Sequence, residues 1–175
     1  MPRTTYRSLK AGDLFQIPLG NHRFGVGNIL IPGSEMYVCV YREVFSSDAI
    51  GAVPAVGSLT PFLIGRTSDE LFYHGRWHVF RRGEVMSDFP RPPYVVGSPD
   101  GQVLKSFDAE TLRLANEEDL QFYGRRLSVS NITFAEALQI FHGIAEPTDD
   151  YDYTRLSYEL ACDRAAHHGP PQVLG

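Results

Sequence analysis

The sequence predicts an α+β fold: a strongly bent antiparallel β-sheet or partly open small barrel over residues 10–107, followed by two or three C-terminal helices. Three observations predict it. A chain of 175 residues, 43% hydrophobic and 12% aromatic, is long enough to bury one core and too apolar to stay disordered. Up to residue 107 its aromatic and β-branched runs are short and cut by Gly, Pro, Asn and Asp, the punctuation of hairpins. Helix start and stop signals come only late, around Thr133–Gly143 and before Gly169. Residues 1–175 therefore read as one domain, β-rich over 10–107, mixed and ending in helix over 108–169, with a mobile tail at 170–175.

Leu14, Phe15, Ile17 and Leu19 alternate as a strand and run into Gly20-Asn-His22. Phe24, Val26, Ile29 and Leu30 then resume it, which makes a hairpin, and Gly25 and Gly27 mark a bulge or a close backbone approach. Met36 to Phe45 is β-branched and aromatic and forms a third strand. Ser46 to Ser58 is a long connection. Leu59 to Ile64 contains Pro61, which restricts it to an edge or broken strand, and Glu70–His74 with Trp77–Phe80 suggests another hairpin around Gly75. Asp88–Pro93 is too rich in proline for regular structure. Tyr94–Val96 and Val103–Phe107 flank Ser98-Pro-Asp-Gly101, a strong turn signal. Asp108–Tyr123 is ambiguous: Thr111–Leu120 is helical by composition, yet short enough for a strand and turn. Thr133-Phe-Ala-Glu136 has the letters of a capping box, Ala135, Leu138 and Phe141 or His142 follow at helical spacing, and Gly143 ends that helix. A last helix is expected from about Thr154 to His167.

The net charge is −5 and uneven. Up to Val96 there are ten Lys/Arg against eight Asp/Glu, and from Gly97 onward six against thirteen. Neither half has the basic face that a phosphate backbone selects, so nucleic acid is not an expected ligand. An acidic face favours a cationic partner or simply solubility. The start of the chain has no apolar h-region of a secretory signal. Cys39 and Cys162 are too far apart in sequence for a metal knuckle or a Cys-x-x-Cys pair, and two free thiols fit a reducing, cytoplasmic setting without membrane attachment.

Few residues invite chemistry. His74 and His78 would share a face only on a helix, and Gly75 with its aromatic and β-branched neighbours favours strand or turn, so no metal and no cofactor are expected. Gly25-Val-Gly27 lacks the third glycine and the strand-to-helix setting of a dinucleotide site. There is no Gly-x-Ser-x-Gly elbow, and neither cysteine has an activating neighbourhood, so no catalytic residues are assigned. The most unusual segment is Glu146-Pro-Thr-Asp149-Asp150-Tyr151-Asp152-Tyr153, where carboxylates and phenols alternate before a helix. Its carboxylates suit a helix N-terminus, and the same residues suit recognition, with Tyr giving contact area and Asp steering a basic partner.

Lys10-Ala-Gly12-Asp13-Leu-Phe-Gln-Ile-Pro18-Leu19, then Arg23-Phe-Gly25-Val-Gly27, resembles the opening of the immunity protein 26 family of bacterial polymorphic toxin systems. A second patch, Gly75-Arg-Trp77-His-Val79 followed by Pro92-Pro-Tyr94 and a Gly, is similar to that family's Gly-Arg-Trp block and the proline-rich crossing after it. The resemblance spans roughly residues 10–97. It implies a small cytoplasmic protein without catalytic activity, which binds a cognate toxin, in a 1:1 complex, and blocks it. Gly12, Asp13, Pro18, Gly25, Gly27 and Trp77, the residues shared with the family, have structural explanations: turn geometry, a cap or turn acceptor, the start of a strand and a core aromatic.

The expected function is thus an immunity protein that occludes a toxin's active or substrate-binding site, with a nuclease-type toxin suited to an acidic inhibitor. The partner-binding candidates are Glu146, Asp149, Asp150, Tyr151, Asp152 and Tyr153. Two alternatives are a small-barrel module for a peptide or other ligand outside toxin biology, and a metal-dependent hydrolase built on His74, His78 and nearby carboxylates.

Overall fold

The computed structural model describes residues 8–83, 89, 93–97, 101–106, 110–123 and 131–148, with the backbone alone at 121–123 and 131–132. The expected helix at 154–167 and the tail at 170–175 lie outside these residues.

Five strands form one antiparallel sheet in the order β4-β3-β2-β1-β5: β1 (Leu14–Gly20), β2 (Arg23–Ile31), β3 (Glu35–Ser46), β4 (Pro61–Ser68) and β5 (His78–Arg81). Three more, β6 (Tyr94–Val96), β7 (Val103–Lys105) and β8 (Thr111–Leu114), form a second antiparallel sheet in that order. Three helices are described: α1 (Glu70–Tyr73), a single turn, α2 (Glu117–Tyr123) and α3 (Asn131–Phe141). The α+β class holds. The barrel does not: there are two open sheets rather than one curled one, and β4 and β5 end the larger sheet without meeting. Leu71, Phe72 and Trp77, in the connection between β4 and β5, pack onto a face of the sheet instead.

Period-two alternation explains how both faces of the larger sheet come to be buried. On one face Phe15, Ile17, Leu19, Ile29, Met36, Val38 and Val40 meet Phe72 and Trp77 from the α1 region and Phe134, Ala137 and Leu138 from α3. On the other, Leu14, Phe24, Val26, Tyr37, Cys39 and Tyr41 meet Val53, Val56 and Leu59 from the β3–β4 connection. That connection is a strap of two 3-10 turns, Ser47–Ala52 and Val56–Ser58. A bulge between Leu14 and Phe15 sets Arg81 opposite Leu14. Arg81 then donates to the carbonyls of Val53 (2.5 Å) and Pro54 (3.0 Å), clamping the strap down.

The expected second hairpin at 70–80 is not formed. Glu70–Tyr73 is helical, and β5 pairs with β1 instead. Leu71 and Phe72 are adjacent in sequence and pack into the same core cluster, which one helical turn allows and an extended strand, sending neighbours to opposite faces, does not. The ambiguous stretch resolves into both options in series, strand β8 and then helix α2. α3 begins at Asn131, so Thr133 stands inside its first turn rather than capping it. Its end matches expectation: Gly143 has φ +64°, its amide donates to Ile140 O (3.0 Å), and the Ile144 amide donates to Gln139 O (2.7 Å). This is the paired 5→2 and 6→1 closure of a Schellman motif.

The β1–β2 turn places Asn21 (φ 48°) and His22 (φ 56°) in the left-handed region. Two such residues match the right-handed twist of a hairpin, and Gly accepts the conformation at lower cost than His. His22→Gly is expected to stabilise the fold by about 0.5–1 kcal/mol, relief of backbone strain outweighing the added freedom of the unfolded chain. The check is a rise in Tm of roughly 2–4 °C per kcal/mol for a chain of this size.

Candidate interaction surface

The residues that carry the family resemblance sit in the β-framework. Gly12 (φ +86°) donates to Ile29 O at 2.7 Å, and Asp13 closes the same turn, its Oδ2 accepting from the Lys10 amide at 3.0 Å. Asp13 is 1% exposed, with Arg82 Nε 3.8 Å from Oδ1. Gly25 and Gly27 flank a register shift against β3 and let neighbours approach. A Cβ on Gly25 would lie 2.5 Å from Leu138 Cδ1, and one on Gly27 would enter the Phe15 ring. Trp77 stacks on Phe15 with ring centroids 4.8 Å apart. Pro18 is not at the start of a strand; it lies late in β1, beyond Gln16 where pairing with β5 stops, so its missing N–H removes no bond to that strand.

His74 ends α1 through its amide, which donates to Glu70 O at 2.9 Å, while His78 stands on β5 opposite Gln16. Both are exposed, and they share no helix face. Among the described residues no group of three or more His, Cys, Asp or Glu side chains is placed to hold a metal. No helix of the described residues is long and apolar enough to cross a membrane. Cys39 is buried and in no disulfide, its thiol 3.8 Å from Val40 O, and Cys162 lies outside the described residues.

Of the predicted partner-binding residues, Glu146 is exposed three positions past Gly143. Asp149, Asp150, Tyr151, Asp152 and Tyr153 lie outside the described residues. The end of α3 that precedes Glu146 is fixed twice over. His142 Nε2 lies 2.6 Å from Arg42 O, and the Arg42 guanidinium stands 5.6 Å from the centroid of the Phe141 ring, itself 4.7 Å from Phe62.

A second acidic stretch, around Glu117–Asp119, is fully in view. Asn116 Oδ1 accepts from the Asp119 amide at 2.8 Å, and Asp119 Oδ2 accepts from the Asn116 amide at 2.8 Å. This is a capping box made of Asn and Asp. From β8, Arg113 binds the same carboxylate through both terminal nitrogens, Nη1 to Oδ2 at 2.5 Å and Nη2 to Oδ1 at 2.6 Å. Asp119 is only 3% exposed, so its charge and that of Arg113 cancel largely inside the fold. The exposed charges left between residues 110 and 120 are Glu110, Glu117 and Glu118.

Burial pushes the Asp119 carboxyl up, but the hydrogen bonds from Arg113 and the Asn116 amide, together with the Arg113 charge, outweigh it. They hold the group below its ordinary value of 3.8. Stability from this carboxylate is therefore complete above that ordinary value and is lost as pH falls through the lowered folded one. Asp119→Asn is expected to cost about 1.5–3 kcal/mol at neutral pH, the range for hydrogen bonds to a charged group. The difference between wild type and variant in urea midpoint should shrink as pH is lowered below about 4; a constant difference down to strongly acid pH would contradict the assignment.

The same small sheet carries an apolar row. Val96 pairs with Val103 and Val103 with Leu114, so the three lie side by side on one face. The adjacent row, Val95 and Leu104 with Arg113, faces the other way, with Val95 and Leu104 buried. Val96 is 37% exposed and Leu114 75%, the most exposed large hydrophobic side chain among the described residues. Sequence reasoning missed this row because the Thr-Leu-Arg-Leu of β8 is equally compatible with a helix, on which Leu114 would have no cross-strand neighbours.

Comparison with protein-family models, with curated proteins and with solved structures finds no match to this chain.

Proposed function

We propose that this protein is a non-catalytic inhibitor of the immunity type, which binds a cognate toxin one to one and occludes its active or substrate-binding site. The observation that carries the reading is a set of carboxylates presented on braced elements. Glu117 and Glu118 open a helix held by the Asn116–Asp119 box and by Arg113, and Glu146 follows a helix end pinned to β3. Charge held in place before binding loses little side-chain and loop freedom on association, and it steers a basic groove into register. A nuclease-type toxin, whose groove is basic to accept phosphates, suits such a surface.

The resemblance adds to this. Gly12, Asp13, Gly25, Gly27 and Trp77 are occupied with turns and packing in the larger sheet, which leaves the acidic, more C-terminal residues to set partner choice. The test is co-expression with the product of the neighbouring gene, assayed for toxicity on its own. Growth protection, a 1:1 complex on size exclusion, and an association rate that falls with added salt are expected. Absence of both protection and a complex would sink the reading.

A further inference from the structure

Independently of the inhibitor reading, we infer that the strap Ser47–Leu59 is a gate, which opens as a unit while the five-stranded sheet stays intact, and that Arg81 is its latch. The strand registers fix its path. Arg81, Leu14, Asn28, Cys39 and Ile64 stand opposite one another in turn, a row that crosses all five strands. The strap leaves the end of β3, where the Ser47 amide donates to His22 O at 2.8 Å, and reaches the Arg81 end of the row at Val53 and Pro54. It then returns to the start of β4. There Thr60 O accepts from the Arg42 amide at 2.9 Å, and the Thr60 amide donates to both carboxylate oxygens of Glu43. The return leg therefore passes over the row, and Cys39, in the middle of the row and 0% exposed, lies beneath it.

The return leg rests on every third residue, Val53, Val56 and Leu59, while Ala55, Gly57 and Ser58 between them are exposed. Its internal hydrogen bonds, Ser58 N to Ala55 O and Leu59 N to Val56 O, close single turns, and among the described residues no strand pairs with it. The opposite cover, α3, is an eleven-residue helix with a ladder of its own. Both ends of the strap are tied to the sheet, so it can swing without leaving. Gly51 and Gly57 stand where an added Cβ would meet nothing within 4 Å, so the backbone can turn there without disturbing packing. The middle is held by a guanidinium that spans two successive carbonyls, a charge-assisted hold. Once released, those carbonyls take water, whereas the ladder groups inside the sheet stay paired. The latch stands on β5, a four-residue edge strand, so loosening that edge loosens the gate as well.

The test follows Cys39 with a water-soluble aryl disulfide in the full chain carrying Cys162→Ser, at fixed pH. Labelling needs the thiol uncovered, so its rate reports the opening that uncovers it. In urea below the unfolding transition, that rate is expected to rise far less steeply than the unfolding constant, because the gate bares a small part of the surface. Arg81→Met is expected to speed labelling about tenfold or more, through the loss of two hydrogen bonds from a charged donor. Ile17→Val, on the opposite face, is expected to raise the unfolded fraction several-fold and leave labelling unchanged, because the open form keeps that packing. A labelling rate as steep in urea as unfolding itself would overturn the gate, and this arm stands whether or not Arg81→Met folds. So would acceleration by Ile17→Val equal to its effect on the unfolded fraction. Unchanged labelling in Arg81→Met would overturn the latch.

Discussion

Gly27→Ala is expected to destabilise the protein by about 3 kcal/mol or more, at the upper end of what overpacking a core costs. The added Cβ would meet three carbons of the Phe15 ring, none farther than 2.7 Å. The ring has no room to retreat: Phe72 meets it edge-on at 4.9 Å and Trp77 stacks on it at 4.8 Å. The sign is the informative part. Gly27 is not among the glycines with positive φ, so its backbone suits alanine, and without the ring the substitution would stabilise by about 0.4–1 kcal/mol through the unfolded state. Urea denaturation followed by far-ultraviolet circular dichroism measures the change. Adding Phe15→Leu should make the pair less damaging than the sum of the single changes, because the smaller side chain vacates the space the methyl needs. A neutral or stabilising Gly27→Ala would refute the packing described for β1 and β2.

Trp77→Ala should cost about 3–5 kcal/mol, the usual range for deleting a fully buried aromatic. Trp77 is 2% exposed, stacks on Phe15 and meets Phe72 edge-on at 5.5 Å. It also closes the chain around α1, since the amides of Arg76 and Trp77 both donate to Leu71 O, at 2.8 and 3.1 Å. Its removal should therefore speed hydrogen exchange first over Glu70–Arg81, ahead of β2 and β3. Trp77→Phe, which keeps an aromatic ring against Phe15, should cost less than half as much. A loss below about 1 kcal/mol for the alanine variant would be incompatible with a ring packed on both Phe15 and Phe72.

Much of the framework was legible because the strands β1 to β4 alternate or are apolar on both faces, and because hairpin turns announce themselves through Gly, Asn and Pro. Gly25 and Gly27 were legible as a bulge or a close approach, and the structure has both. α1 was not legible, since Glu-Leu-Phe-Tyr has no helical period of its own; it is helical because Leu71 and Phe72 must face the same core. The capping box was legible in kind and misplaced: Thr133 and Glu136 have the usual residue types inside a helix that begins earlier, whereas Asn116 and Asp119 have the geometry. The Arg81 clamp on Val53 and Pro54 depends on a bulge more than twenty residues away in sequence from the carbonyls it serves, beyond the reach of local pattern. For the candidate surface, negative charge after Gly97 was legible, but its division was not. Asp119 counts as acidity in the sequence and as an internal partner of Arg113 in the fold, while Leu114 emerges as surface only once β8 is a strand.

The two covers of the larger sheet differ in when they can arrive. The strap Ser47–Leu59 lies between the strands it covers, so it is synthesised with them. α3 begins fifty residues after β5 ends, and it reaches back to Leu19 and Arg42, 120 and 100 residues upstream of its contacts. At cellular translation rates that gap is about 3–10 s. For that interval the nascent sheet lacks Phe134, Ala137 and Leu138 over Ile17, Leu19 and Gly25. This is a window in which a chaperone, or a premature partner, meets an apolar face that the finished protein never shows.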